Sequence, residues 1–197
     1  MYRDAFPAAR PTGLRSRRLP VGTEFWRIDA EPPTSWTWEG FAAPRHRFDP
    51  ASGAFRTRYA SRSIAGAVRE RYLDTGLLIP ADHADHHLVR LHAQRALRVV
   101  DLRTDANLQA LGLDDRISTS HELVVWEAAH LLADAVRAWW PDLDGIAFRS
   151  RTTPERSFNL AFFSSDAFAA DARPLVDCPD ELADLVLHHH LTVDFDL

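Results

Sequence analysis

The sequence predicts an α+β domain, a mixed central sheet with flanking helices, and three observations carry that expectation. Strand-patterned segments such as EFWRID, RALRVVDLR and GIAFRSR are interleaved with helix-patterned ones at uneven spacing, unlike the regular βα repeat of a doubly wound sheet. Neither a Walker loop nor a GxGxxG run occurs, so the standard glycine-rich phosphate cradles are absent. The 197 residues, 46% of them hydrophobic, suffice for one buried core without requiring a second.

Taken in order, residues 1–20 hold five arginines, three prolines and Gly13 against a single acid, Asp4, which reads as a flexible basic arm ahead of a domain over 21–197. GTEFWRIDA then predicts a strand over Glu24 to Asp29, with Arg27 on the face of Phe25 and Asp29, opposite Trp26 and Ile28. Glu31 to Pro44 is loop-like, yet Trp36 and Trp38 are expected to pack. Phe55 to Ser61 alternates as a strand. Ser63 is placed to cap the helix that follows, on which Ile64, Val68 and Tyr72 form one stripe and Gly66, Ala67 and Glu70 another side.

HLVRLH and RALRVVDLR read as further strands, and Asp105 to Leu111 as a short helix. The histidines of Asp82 to His92 lack a partner cysteine or an HExxH spacing, so surface histidines rather than a metal site are expected. Thr119 and Glu122 have capping-box spacing before a long helix that Pro141 stops. GIAFRSR and Asn159 to Phe163 follow as strands. Pro174 to Asp177 is expected as a strand, Asp180 to Leu187 as a helix and Leu191 to Phe195 as a closing strand.

A net charge of −5 argues against binding nucleic acid through phosphate contacts. Cys178 is the only cysteine and no apolar run is long enough to span a bilayer, so a cytoplasmic protein without membrane contact is expected. All basic side chains besides histidine are arginine, which removes lysine Schiff-base chemistry. Eight acids against Arg173 in Ser164 to Leu197 oppose the basic start. Either end is open to simple solvation or to docking another chain, and the basic arm to a homo-oligomer contact or an acidic partner surface.

Read in order, FWRI, RFD, RYAS, AVRE and GIAFRSR, followed by NLAFF, resemble the RES family of bacterial proteins, named for an arginine, a glutamate and a serine. The resemblance spans roughly Gly22 to Ser164. It implies an ADP-ribosyltransferase-like fold, NAD as substrate, no metal, and cleavage of the nicotinamide–ribose bond by an NAD glycohydrolase or NAD phosphorylase, with water or inorganic phosphate as acceptor. It also implies a toxin neutralised by a co-encoded antitoxin that often carries a DNA-binding region. By motif, Arg27 and Arg47 correspond to the family arginines, Tyr59 to the following aromatic, Glu70 to the acid and Ser150 to the serine.

The resemblance gives these residues expected roles. Glu70 would stabilise positive charge developing on the ribose, and the two arginine forks would hold the pyrophosphate. Tyr59 would lie against the nicotinamide, and Ser150 would hydrogen-bond the ribose or the carboxamide. Where the family commonly has glycines before the second arginine and an asparagine soon after, this chain has Arg45, His46 and Asp49, and His46 adds bulk there. ADP-ribosylation of a protein target and a non-catalytic partner-binding role are the competing expectations.

Overall fold

The computed structural model describes residues 6–40, 43–152 and 157–196. Its elements in chain order are β1 (Ser16–Leu19), β2 (Glu24–Asp29), β3 (Arg58–Ser61), α1 (Ile64–Tyr72), β4 (Leu78–Ile79), β5 (His87–Ala93), β6 (Leu97–Asp101), α2 (Asp105–Leu111), α3 (Arg116–Thr119) and α4 (Leu123–Trp139). β7 (Gly145–Arg149), β8 (Phe158–Phe162), β9 (Phe168–Pro174), α5 (Pro179–His189) and β10 (Thr192–Val193) complete it. Eight strands form one sheet in the order β1-β6-β7-β8-β3-β2-β5-β9, antiparallel except for β6 against β7; β10 and β4 form a separate parallel pair. The mixed sheet and flanking helices are those the sequence predicts.

Apolar faces sort into three clusters. α4 buries Val125, Ala129, Leu132 and Val136 against Val100, Ile146 and Phe148 of the sheet. Phe25, Val89, Leu91, Leu160 and Phe162 pack with Trp36 on the other side. Val68 and Tyr72 of α1 meet Ile28, Leu88 and the apolar side of α5. The alternation of β2 therefore divides its side chains as expected, Phe25 going to one cluster and Trp26 and Ile28 to another.

Four expectations need correction. The sheet begins inside the expected arm: β1 pairs with β6 from Ser16 to Leu19, and Leu14 and Leu19 are buried, because two apolar residues among the arginines suffice to anchor an edge strand. Thr119 and Glu122 form no capping box. Thr119 ends α3, while Glu122 stands at the N-cap of α4 with no side-chain cap bond. Pro174 to Asp177 is not a strand; Leu175–Asp177 is a 3₁₀ turn that buries Leu175, and the strand precedes it as β9. The strand expected from Phe55 starts at Arg58: Phe55 forms an isolated bridge with Glu39, and the Thr57 hydroxyl turns into a buried hydrogen-bond network described below.

Candidate functional site

Ser63 caps α1 by accepting from the Gly66 N–H at 3.0 Å, as its position predicts. A Cβ on Gly66 would fall 2.0 Å from Ser61 Oγ, so only glycine lets α1 lie this close to β3. That approach leaves Glu70, near the end of α1, facing the ends of β7 and β8. Its Oε1 accepts three hydrogen bonds: from Ser150 Oγ at 3.0 Å, from Thr152 Oγ1 at 2.9 Å and from Asn159 Nδ2 at 3.0 Å. The Thr152 N–H in turn donates to Ser150 Oγ at 3.2 Å. Three donors on one oxygen fix the rotation of the carboxylate, and no described residue donates to Oε2.

Glu70 lines a cavity of about 510 Å³ together with Arg27, His46, Arg47, Tyr59 and Asn159. Arg27 is held by Asp29 Oδ2 at 2.6 Å and donates to the Tyr59 carbonyl at 3.0 Å, with its guanidinium 5.2 Å from the Trp36 ring centre. Burial lowers its pKa and Asp29 opposes that shift. Arg58 shares Asp29 at 3.2 Å and stacks over Trp36 and Trp38, so both tryptophans pack as expected, beneath cationic groups. Burial, followed by the charge of Arg27, brings the Arg58 pKa down to about 10.

Arg47 is 7% exposed. It donates to the carbonyls of Ile117 at 3.1 Å and Ser120 at 2.7 Å and lies over Trp126 at 5.4 Å. All these partners are neutral. Burial first, and the nearby charge of Arg151 second, lower its pKa to about 10, so it remains a cation at neutral pH. A buried positive charge without a carboxylate partner among the described residues is a natural seat for an anionic ligand. Between the two carbonyls sits Ser118, whose buried hydroxyl lines the cavity and has no partner among the described residues.

The turn that carries Arg47 is organised by Asp49. Its Oδ2 accepts from the N–H groups of Arg45 at 2.9 Å and His46 at 2.8 Å; its Oδ1 accepts from Thr57 Oγ1 at 2.5 Å and Tyr59 Oη at 3.3 Å. The Phe48 N–H donates to the same Tyr59 hydroxyl at 2.8 Å. Both oxygens of a carboxylate are used, whereas an asparagine would turn its NH₂ towards one pair of donors. Tyr59 therefore offers the cavity its ring, with the hydroxyl buried behind. Burial, and then Asp49, push its pKa well above the usual phenol range. His46 stands on the cavity wall with its ring edge to Tyr59 at 5.6 Å, and its carbonyl accepts from His130 Nε2 at 3.1 Å.

The structure thus brings Arg27, Arg47, Tyr59 and Glu70 to one cavity. Ser150 is placed differently from its expected ligand-contacting role. It is 3% exposed, is not among the cavity-lining residues and stands behind Glu70. The sequence does not single out Thr152, Asn159, Ser118 or Trp126 as site residues, and it marks Asp49 only as a departure from the family pattern. Only Asn159 carried a local signal, as a polar residue opening the otherwise apolar NLAFF strand. No group of three or more His, Cys, Asp or Glu side chains among the described residues is arranged to hold a metal ion.

The RES domain family model matches residues 24–188, and the chain belongs to the RES domain family. Its fold is similar to a chain in the crystal structure of the M. tuberculosis MbcT–MbcA toxin–antitoxin complex, with a TM-score of 0.55 and 14% identity, covering 84% of this chain and 92% of that one. No curated protein matches the sequence.

Proposed function

We propose that the protein degrades NAD by cleaving the bond between nicotinamide and ribose, and acts as the toxin of a toxin–antitoxin pair. The observation that carries this reading is the orientation of Glu70: three donors hold one carboxylate oxygen, while no described residue donates to the other, in a cavity shared with the Arg27 and Arg47 guanidiniums. Family membership supports the substrate, and the likeness in fold to a toxin–antitoxin chain supports the biological role and a cognate antitoxin as partner.

The chemistry follows from the charges. As the glycosidic C–N bond breaks, both electrons leave with nicotinamide, a neutral pyridine that needs no proton from an acid. Positive charge grows on the ribose, and Glu70 Oε2 stabilises it. The Arg47 guanidinium, backed by Trp126 and beside the Ser118 hydroxyl, holds the pyrophosphate, with Arg27 shaping the wall next to it. The Tyr59 ring abuts the nicotinamide. Ser150 acts through Glu70 rather than on the ligand. The acceptor oxygen, from water or inorganic phosphate, bonds to ribose C1 and any proton it carries passes to solvent.

The test is to incubate the purified protein, freed of any partner, with NAD in the presence and absence of inorganic phosphate and to resolve the products by liquid chromatography and mass spectrometry. Nicotinamide with ADP-ribose identifies a glycohydrolase, and a phosphorylated ADP-ribose identifies a phosphorylase. ADP-ribose retained on a protein as a mass gain would replace this reading with protein modification. No turnover by folded protein would replace it with a binding role.

A further inference from the structure

Granted the NAD reading, on which this rests, we propose that Asn159 is a specificity-determining residue whose Oδ1 accepts a hydrogen bond from a donor on the nicotinamide–ribose end of the substrate. Asn159 lies on β8, paired with Phe148 of β7 and Ser61 of β3, and forms part of the cavity wall while being 3% exposed. Its Nδ2 donates to Glu70 Oε1. Reversing the amide would set its oxygen against the carboxylate, so the chemistry of the contact fixes which atom points which way.

Oδ1 is then buried and has no partner among the described residues. An acceptor shielded from water and left unpaired is disfavoured, and in a native protein it marks a place where something else supplies the donor. Since the side chain is part of the wall, a ligand seated against Glu70 is what brings that donor. Glu70 Oε2 and Asn159 Oδ1 make this part of the wall rich in acceptors. It favours a group bearing N–H or O–H and rejects one that can only accept.

The nicotinamide–ribose end carries two such donors, the carboxamide NH₂ and the ribose 2′-hydroxyl. They are separated by nicotinic acid adenine dinucleotide, which replaces the amide by a carboxylate, and by an NAD analogue with fluorine in place of that hydroxyl. Affinities of the full chain and of Asn159→Ala for NAD and both analogues would be measured by calorimetry, together with kcat/KM on NAD and nicotinic acid adenine dinucleotide. Asn159→Ser serves as a second variant should the alanine protein not fold, and Thr152→Val is the control, since it removes a Glu70 donor without touching Oδ1.

The expected result is that the Asn159 variants lose about tenfold of the wild-type preference for NAD over one analogue, identifying the donor, while Thr152→Val keeps that preference. If the Asn159 variants weaken all three ligands by the same factor, the assignment is overturned while the NAD reading stands. If the wild-type protein binds none of the dinucleotides, both fall.

Discussion

Ser150 Oγ donates to Glu70 Oε1 across 3.0 Å, so the two side chains act as one unit, the first orienting the second. Glu70→Gln tests the charge separately from the scaffold. A glutamine oxygen accepts the same three donors, so the melting temperature should stay close to wild type while NAD turnover falls on the order of a hundredfold or more. Product formation measured beside a thermal melt checks both halves.

Thr152→Val removes one of the three donors and keeps the shape of the side chain. Glu70 then keeps Ser150 and Asn159 but loses part of its rotational restraint. A fall in kcat of about tenfold is expected, with KM little changed, because the interaction positions a group that acts in the transition state. Ser150→Ala should cost a similar factor and more stability, since it also leaves the Thr152 N–H without its acceptor. Steady-state kinetics on both variants decide this.

Asp49 accepts from four donors while buried; its removal takes that acceptor from the Arg45 and His46 N–H groups and the Tyr59 hydroxyl, while the Thr57 hydroxyl keeps Tyr59 Oη at 3.1 Å. Asp49→Ala should destabilise the protein by about 3 kcal/mol and lower its melting temperature by roughly 6–12 °C. Tyr59→Phe keeps the ring and strands the Phe48 N–H, so a smaller loss of about 1–2 kcal/mol is expected, with NAD affinity nearly unchanged. Chemical denaturation and calorimetry provide the two readouts.

Stability should fall on mild acidification. His86 and His130 both have pKa values held below the usual 6.5, His86 by burial and then by the charge of His83, and His130 by burial against a smaller opposing effect of its bond to the His46 carbonyl. The unfolded chain therefore takes up protons first. The stabilisation is complete above about 6.5 and is lost as pH drops from there through the lower folded values. Melting temperatures measured from pH 7.5 to 5 should decline, and His86→Asn with His130→Asn should flatten that slope.

Much of the fold was legible because its signals are local. The bounds of β2 and α2, and the Ser63 cap of α1, follow from alternation, helical spacing and one hydroxyl. β9 was missed because FAADARP is an exposed edge strand with no β-branched residue, and the apolar Leu175 and Val176 drew the strand expectation onto what is a 3₁₀ turn. At the site, the family motifs led to Glu70, Arg27, Arg47 and Tyr59. Thr152 and Asn159 lie 82 and 89 positions beyond Glu70, and only the pairing of β8 with β3, on which α1 packs, and of β7 with β8 brings them to it. Asp49 read as a departure from the family pattern, since its function depends on bonds to Thr57 and Tyr59 that no spacing rule reveals.

The position of β8 also sets a timetable for synthesis. Among the described strands it alone joins the β1-β6-β7 half of the sheet to the β3-β2-β5-β9 half, and it carries Asn159. A chain delivered only as far as β7 contains Glu70, but neither the strand that joins the two halves of the sheet nor the full set of donors for that carboxylate. The carboxylate of Glu70 is thus left without two of its three orienting donors, Thr152 and Asn159, until late in translation.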